Sequence, residues 1–202
     1  MPDPLPIDMI RQDLEQAWDS RRNFILRAPT GSGKSTRVPR FLYDWNGFNK
    51  DKSIIVLQPR RMAARLLAKR VAEELEEPLG SSVGYQIRFD SKVSGKTRIF
   101  YVTEGLLLRR LVSGDSMNGV GAILFDEFHE RHLEGDICLG LASLRQKQGW
   151  AGQIGILSAT LETAGLREYL QDSTVLESEG RQFPVEIKYT SGSERVPVWE
   201  RA

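Results

Sequence analysis

The sequence predicts an α/β domain with a mostly parallel sheet and helices on both of its faces. Six short, β-rich apolar segments alternate with helical patterns along the chain, which is the order expected of βαβ units. These segments are continuous apolar runs, as strands are when helices cover both faces of their sheet. The predicted strands span residues 23–28, 52–58, 97–103, 120–126, 153–159 and 173–178.

Composition supports a folded domain and excludes several other classes of protein. The 202 residues are 40% hydrophobic and 27% charged, which argues against a disordered chain and suits one domain or two small ones. A net charge of +1 gives no overall case for nucleic acid. The longest apolar run is far shorter than the roughly 20 residues of a membrane helix, and the acidic, proline-rich N-terminus is unlike a signal peptide. With one cysteine, Cys138, we expect a cytoplasmic protein without membrane attachment.

Helical periodicity indicates where the connections between strands fold. Residues 60–75 have apolar positions at helical spacing and predict one amphipathic helix. Weaker patterns predict helices over residues 7–18, 36–45, 106–112 and 133–144. After Gly180 the pattern changes to an extended run and then to a polar stretch. We therefore expect an N-terminal helical segment over residues 1–20, the main domain over 21–180, and an exit strand with a linker over 181–202.

A phosphate-binding loop follows the first predicted strand. The segment APTGSGKST joins this strand to a predicted helix, as a P-loop requires, although Ala28 stands where the strict pattern has glycine. Gly31 and Gly33 allow backbone N–H groups to turn toward phosphate oxygens at a helix start. Lys34 would then reach the β- and γ-phosphates of an NTP, and Ser35 would bind Mg²⁺. The plainer alternative, a turn that caps a helix, does not require the Lys-Ser pair.

Two adjacent carboxylates follow the fourth predicted strand. Asp126 and Glu127 lie at the carboxyl edge of the sheet, where ligands bind in open α/β folds. Carboxylates at the end of a buried strand are costly unless a cation or a water uses them. Asp126 therefore fits a Mg²⁺ ligand and Glu127 fits the residue that deprotonates an attacking water; a solvated acidic turn is the alternative. His129 is either a surface histidine or a link that passes on the state of the γ-phosphate.

Basic residues gather along the long predicted helix. Arg60 and Arg61 stand at its start, where a cation opposes the helix dipole at a cost of about a few tenths of a kcal/mol. That placement indicates an anionic partner. Charge alone favours another interpretation, a solvated helix face that the following glutamates balance.

Taken together, the motifs resemble the first RecA-like domain of superfamily 2 helicases, and the DEAH-box RNA helicases in particular. GSGKST, QPRRMAARLLAKR, TEGLLLRR, DEFHER and LSAT stand in the order and approximate spacing of that family. DEFHER, with Phe128, is similar to the bacterial HrpB-type members. The resemblance covers about residues 14–190 and implies a P-loop NTPase of RecA-like fold.

The resemblance also implies a role for each matching motif. The residues expected to bind the nucleotide are Thr30, Gly31, Ser32, Gly33, Lys34, Ser35, Thr36 and Arg70, the last by stacking on the base. The expected catalytic residues are Lys34, Asp126, Glu127 and His129, and the expected metal ligands are Ser35, Asp126 and Glu127. The residues expected to couple hydrolysis to strand movement are Ser158, Ala159 and Thr160. The expected RNA contacts are Pro59, Arg60, Arg61, Thr103, Glu104 and Gly105.

The resemblance implies the ATP-binding motor domain of an ATP-dependent RNA helicase. Its cofactors would be ATP, or another NTP, and Mg²⁺, and its partner would be single-stranded RNA, or DNA. Nothing after Thr160 matches the arginine motif of a second RecA-like domain, so we expect that domain of the full-length protein to supply the arginine finger. The isolated domain would then be a poor enzyme. The alternative is a nucleotide-dependent switch or adaptor module without unwinding activity.

Overall fold

Eight strands form one sheet in the computed structural model, which describes residues 5–114, 117–160, 163–171 and 173–180. The strand order is β4-β3-β5-β2-β6-β7-β1-β8, and every neighbouring pair is parallel except β3 and β4. The strands are β1 (Phe24–Arg27), β2 (Ser53–Gln58), β3 (Val83–Ile87), β4 (Asp90–Lys92), β5 (Ile99–Thr103), β6 (Val120–Phe125), β7 (Gln153–Ser158) and β8 (Thr174–Glu177). The predicted fold class is confirmed.

Among the described residues, six helices connect these strands or precede them. They are α1 (Arg11–Asp19), α2 (Lys34–Asp44), α3 (Arg61–Glu74), α4 (Glu104–Val112), α5 (Leu133–Lys147) and α6 (Thr163–Tyr169). Short 3₁₀ helices cover Pro6–Ile10, Met117–Gly119 and Phe128–Glu130. Two helices begin two residues earlier than predicted, because left-handed Gly33 starts α2 and extended Thr103 precedes α4. Helix α6 was not predicted.

The antiparallel hairpin of β3 and β4 is a second feature that the sequence pattern missed. Strand β4 has three exposed residues, so it carries no apolar run to reveal it. All six predicted strands are present, each within two residues of its predicted ends. The predicted exit strand and linker, residues 181–202, lie outside the described residues.

Alternate residues of the strands enter two separate apolar cores. In β2, Ile54 and Val56 join a cluster with residues of α1, α2 and α3, whereas Ile55 and Leu57 join a cluster with residues of α4 and α5. Successive side chains of a strand point to opposite faces, so a run that is apolar at every position needs helices on both faces. The continuous apolar strands thus explain the three-layer arrangement.

The parallel strands bring distant motifs to one edge of the sheet. Strands β1, β2, β5, β6 and β7 run in the same direction, so the segments that follow them leave from the same carboxyl edge. These segments are the Gly-rich loop after β1, PRR after β2, TEG at the end of β5, DEFHER after β6 and SAT at the end of β7. All of the predicted functional motifs therefore lie at this edge.

None of the helices among the described residues has the length and apolar character needed to cross a bilayer.

Candidate nucleotide and nucleic-acid site

The Gly-rich loop has the backbone shape of an anion cradle. Gly31 and Gly33 both have left-handed φ angles, +80° and +93°, and α2 begins immediately afterwards at Lys34. A Cβ atom added to Gly31 would meet nothing within 4 Å, so open space adjoins the loop there. A Cβ atom on Gly33 would lie 2.6 Å from Leu5 Cδ1, because the N-terminal segment packs against the loop. The turn and the helix start together suit an anion.

Lys34 and Glu127 form an ion pair across the site. Lys34 Nζ lies 3.0 Å from Glu127 Oε1, and the lysine side chain is only 3% exposed whereas that of Glu127 is 25% exposed. A buried ammonium group needs a partner, and here the carboxylate supplies it. The pair shows that the phosphate loop and the acidic motif share one site.

Asp126 is a buried carboxylate with defined hydrogen-bond partners. Its Oδ2 accepts a hydrogen bond from the Gln58 amide, and its Oδ1 accepts one from the backbone N–H of Glu127 at 2.9 Å. Burial raises the pKa of Asp126, the hydrogen bonds from Ser35 and Gln58 oppose that rise, and the neighbouring Glu127 charge adds to it. A buried carboxylate whose charged form is disfavoured gains from a nearby cation.

The backbone at Glu127 is in a strained conformation. Its φ is +50° and its ψ +34°, in the left-handed region that a residue with a Cβ atom seldom occupies. Such strain costs about 1–3 kcal/mol and gathers at functional sites. The turn leads directly into the 3₁₀ helix at residues 128–130, in which Phe128 is buried against Phe125 with ring centroids 5.9 Å apart. The aromatic packing offsets part of the strain by anchoring the segment.

Two residues of this site were not predicted from the sequence. Gln58 ends β2 and holds Asp126, and Tyr101 of β5 donates its hydroxyl hydrogen to the backbone carbonyl of Ser35 at 2.8 Å. Burial raises the pKa of Tyr101 well above its ordinary value, so its hydroxyl remains a donor. A polar residue closing an apolar strand was the available signal for Gln58. Nothing in the local sequence marks Tyr101.

The residues at the predicted metal site fit Mg²⁺ bound together with phosphate. Among the residues that the structure describes, no group of three or more His, Cys, Asp and Glu side chains could hold a metal by itself. Mg²⁺ typically takes one or two protein carboxylates and completes its shell with phosphate oxygens and waters. Asp126 and the Ser35 hydroxyl, which are linked by a hydrogen bond, supply the oxygen donors of such a site.

His129 touches both the acidic motif and the segment after β7. Its Nδ1 lies 3.5 Å from Glu127 Oε2 and accepts a long hydrogen bond from the Ala159 N–H at 3.4 Å. Because Nδ1 accepts from Ala159 only when it carries no proton, and pairs with Glu127 only when it carries one, the two interactions exclude each other. Next to this contact, the Ser158 hydroxyl donates to the Thr160 carbonyl at 2.6 Å. The three residues of the SAT motif thus adjoin the acidic motif.

The predicted nucleic-acid contacts lie along the same edge. Arg60 immediately precedes α3, is largely exposed, and places its Nη2 2.7 Å from Glu130 Oε1. Thr103 precedes α4, whose first residue, Glu104, is largely buried. Pro59, Arg61 and Gly105 adjoin these residues in the chain.

Arg70 lies further along α3, with its guanidinium on Glu74. The Arg70 Nε to Glu74 Oε1 distance is 2.9 Å, and Arg70 is 62% exposed. Glu74 also pairs with Arg37 and Arg40 of α2, at 3.7 and 3.9 Å. The Glu74 carboxylate therefore links Arg70 to the helix that begins at the phosphate loop. From charge alone, this glutamate was expected only to balance the basic residues of a solvated helix face.

Fold and site together define a P-loop domain of the kind that motor NTPases use, and comparison with known proteins places it in a family. Residues 10–168 match the family described as DEAD/DEAH box helicase, and the chain belongs to that family.

Relatives and solved structures agree with this assignment. The chain is 43% identical over 187 residues to the ATP-dependent RNA helicase HrpB of Escherichia coli K12 and 37% identical over 193 residues to the human ATP-dependent RNA helicase DHX33. Each match covers 92% of this chain but 23% and 27% of the relatives, so the chain spans about a quarter of their length. Two crystal structures of E. coli HrpB, described as a DEAH/RHA helicase and as a DExH-box NTPase, superpose with TM-scores of 0.82 and 0.83. Their identities are 42% and 39%; the matches cover 90% and 98% of this chain and 23% and 24% of those structures.

Proposed function

We propose that this domain binds ATP with Mg²⁺ and hydrolyses it as one half of an RNA-helicase motor. The observation that carries the proposal is the 3.0 Å contact between Lys34 of the phosphate loop and Glu127 of the acidic motif. It joins the residue type that binds phosphate to the residue type that activates water. The family membership and the printed names of both relatives, ATP-dependent RNA helicases, support the activity.

In this proposal the nucleotide lies on the loop of residues 30–36. The N–H groups around Gly31 and the start of α2 bind the phosphates, and Lys34 exchanges its contact with Glu127 for one with a phosphate oxygen. Ser35 and Asp126, with Glu127 beside them, hold Mg²⁺, which when bound neutralises charge on the phosphates. Arg70, steadied by Glu74, stacks on the base, whose π-face a guanidinium favours.

Glu127 is the proposed general base. Once Lys34 has turned to the phosphates, the Glu127 carboxylate is free to orient a water and to accept its proton. His129 then links hydrolysis to the SAT motif, since protonation of Nδ1 would move it from the Ala159 N–H to the Glu127 carboxylate. That exchange would pass the state of Glu127 to Ser158, Ala159 and Thr160.

Single-stranded RNA is the proposed partner of the edge formed by PRR and TEG. Arg60 and Arg61 supply exposed cations for phosphates, and Thr103, Glu104 and Gly105 form the neighbouring helix start. Contacts of this type give affinity without sequence preference and weaken steeply with salt. The proposal includes single-stranded DNA as an alternative to RNA.

A second RecA-like domain completes the proposed motor. Transition-state charge on the γ-phosphoryl group needs a cation beyond Mg²⁺ and Lys34, and an arginine finger is worth about 10³–10⁵ in rate. We propose that the full-length protein works in the cytoplasm and supplies this arginine from a second domain, which is joined through residues 181–202. Residues 1–20 form the N-terminal helical segment of the proposed motor unit, and residues 21–180 form its main domain.

Nucleotide binding by residues 1–202 tests the core of the proposal. Lys34→Ala should weaken ADP binding about 10- to 100-fold, since a charge-assisted hydrogen bond is worth about 1.5–3 kcal/mol. Lys96→Ala, which removes an exposed lysine from the turn after the β3–β4 hairpin, is the matched control and should bind ADP as the parent does. Equal affinity of the Lys34→Ala variant and the parent in titration calorimetry would overturn the assignment.

Turnover tests the motor function. Residues 1–202 should hydrolyse ATP slowly and separate no duplex, whereas the protein extended by its second domain should show hydrolysis that single-stranded RNA stimulates. A nucleotide-dependent switch would bind ATP in the extended protein without any RNA stimulation. Robust unwinding by residues 1–202 would show that one domain suffices and that the half-motor proposal is wrong.

A further inference from the structure

A histidine with no part in the nucleotide site lies between two carboxylates of the proposed RNA edge. His132 immediately precedes α5, and its side chain is 42% exposed. Its Nε2 lies 3.2 Å from Glu130 Oε2, and its Nδ1 lies 3.5 Å from Glu104 Oε2. Glu130 in turn binds Arg60 through its other oxygen, at 2.7 Å. The chain of contacts therefore joins the segment after β2 to the start of α4.

The two contacts of His132 require one proton more than a neutral imidazole between two ionised carboxylates provides. A neutral imidazole has a single N–H donor, and an ionised carboxylate only accepts. Both contacts are favourable only when the imidazole is doubly protonated or when one of the two carboxylates carries a proton. Burial raises the pKa of Glu104, and the neighbouring His132 opposes that rise. One exchangeable proton thus belongs to the cluster of Glu104, Glu130 and His132.

The charges that surround this cluster determine how its proton affects the binding of an anionic partner. Glu134 of α5 adds a third carboxylate close to Glu104. Arg131 and Asp136 face each other at 3.0–3.1 Å in a pair that carries no net charge. Without the shared proton, Glu130 gives its whole charge to Arg60, and Glu104 and Glu134 add two more negative charges to the cluster. With the proton on His132, the net negative charge falls by one and Glu130 divides its charge between Arg60 and His132.

We propose that His132 is a positioning residue for RNA binding, which in its protonated form shares the Glu130 carboxylate with Arg60 and so weakens the attraction that an RNA phosphate must overcome to bind Arg60. In its neutral form, His132 leaves the whole charge of Glu130 to Arg60. This inference rests on the proposed RNA-binding function. Histidines titrate in the range between pH 5 and 8, so RNA affinity should fall as the pH rises through that range. A change of one charge at this distance should alter affinity about three- to tenfold.

Titration with RNA at several pH values tests the proposal directly. The probe is a fluorescently labelled oligouridylate, whose bases do not titrate between pH 6 and 8, added to residues 1–202 at fixed ionic strength without nucleotide. The parent should bind about three- to tenfold more tightly at pH 6 than at pH 8. His132→Gln should bind at both pH values as weakly as the parent does at pH 8, and His132→Lys should bind tightly at both.

The chain contains only two histidines, so the control is well defined. His129→Asn should keep the pH step, because His129 contacts Glu127 and Ala159 rather than the cluster. Melting temperatures of all variants at both pH values would exclude unfolding as the cause. A pH step that survives in His132→Gln, while Arg60→Gln still weakens binding, would overturn this inference alone. Failure of the parent to bind the RNA, or binding that ignores Arg60, would overturn the proposed RNA site and this inference with it.

Discussion

Replacing Glu127 by glutamine should tighten nucleotide binding while it abolishes hydrolysis. In the structure Lys34 Nζ is held 3.0 Å from the Glu127 carboxylate, so a phosphate must displace that contact and also approach a negative charge. Glu127→Gln keeps the side-chain shape but removes the charge. Lys34 is then available to phosphate, and the proposed general base is lost.

The size of the effect follows from the geometry. Two unit charges 3.0 Å apart attract by about 5–6 kcal/mol at an effective dielectric constant near 20. Most of this is not recovered, because Glu127 is partly exposed, its charge is hydrated when freed, and glutamine still accepts one hydrogen bond from Lys34. A net change of about 1–2 kcal/mol remains, which is a factor of about 5–30 in affinity.

Calorimetric titration with ADP, with and without Mg²⁺, measures this effect. Affinity for ADP alone should rise about 5- to 30-fold in Glu127→Gln, and less when Mg²⁺ is present, because Glu127 is also close to the proposed metal. Glu134→Gln is the matched control: it removes one carboxylate from the same edge but has no contact with Lys34, and its ADP affinity should equal that of the parent. Weaker or unchanged ADP binding by Glu127→Gln in the absence of Mg²⁺ would refute the reasoning.

Two further substitutions separate the stability of the domain from its function. Asp126→Asn should raise the melting temperature by about 2–4 °C at pH 7 while it weakens Mg²⁺-dependent ADP binding, because burial penalises the charged form of Asp126 and raises its pKa. The folded state therefore holds the proton of Asp126 more tightly than the unfolded state does. The parent gains stability as the pH falls through the raised pKa, so the stability advantage of Asp126→Asn should shrink. Calorimetric scans at pH 7 and about pH 5 would test this, and an advantage that grows on acidification would contradict it. Phe128→Ala should cost about 3–5 kcal/mol in denaturant unfolding, because Phe128 is 6% exposed and packs edge-on against Phe125. Phe89→Ala, at a side chain that is 90% exposed, should cost about 0.5 kcal/mol or less, and equal losses in the two variants would show that Phe128 is not an anchor of the acidic motif.

Local composition is enough to predict the class of fold and the place of the main motifs. Continuous apolar runs such as residues 53–58 need cover on both faces, and this requirement is readable without coordinates because it depends only on local composition. Strands linked by helices run parallel, so segments that follow them leave from one edge. The motifs GSGKST and DEFH then predict that phosphate and a metal ion bind at that edge.

Tertiary structure alone decided which side chains face each other there. Gln58 and Asp126 are 68 residues apart in the chain, Tyr101 and Ser35 are 66 apart, and Arg60 and Glu130 are 70 apart. Such pairs depend on strand order, on register and on the rotamers that packing allows, none of which a local pattern contains. Strand β4 was missed for a related reason, since its exposed polar residues at the sheet edge have no apolar period.

His132 shows the same division most clearly. In the sequence it is an isolated histidine immediately after the DEFHER segment, with nothing to distinguish it from a surface residue. The left-handed turns at Glu127 and Arg131 place it between Glu130 and Glu104, and this placement makes its charge matter. Residue chemistry is written in the sequence, but electrostatic coupling falls off over a few ångströms, so only the folded chain determines which charges interact.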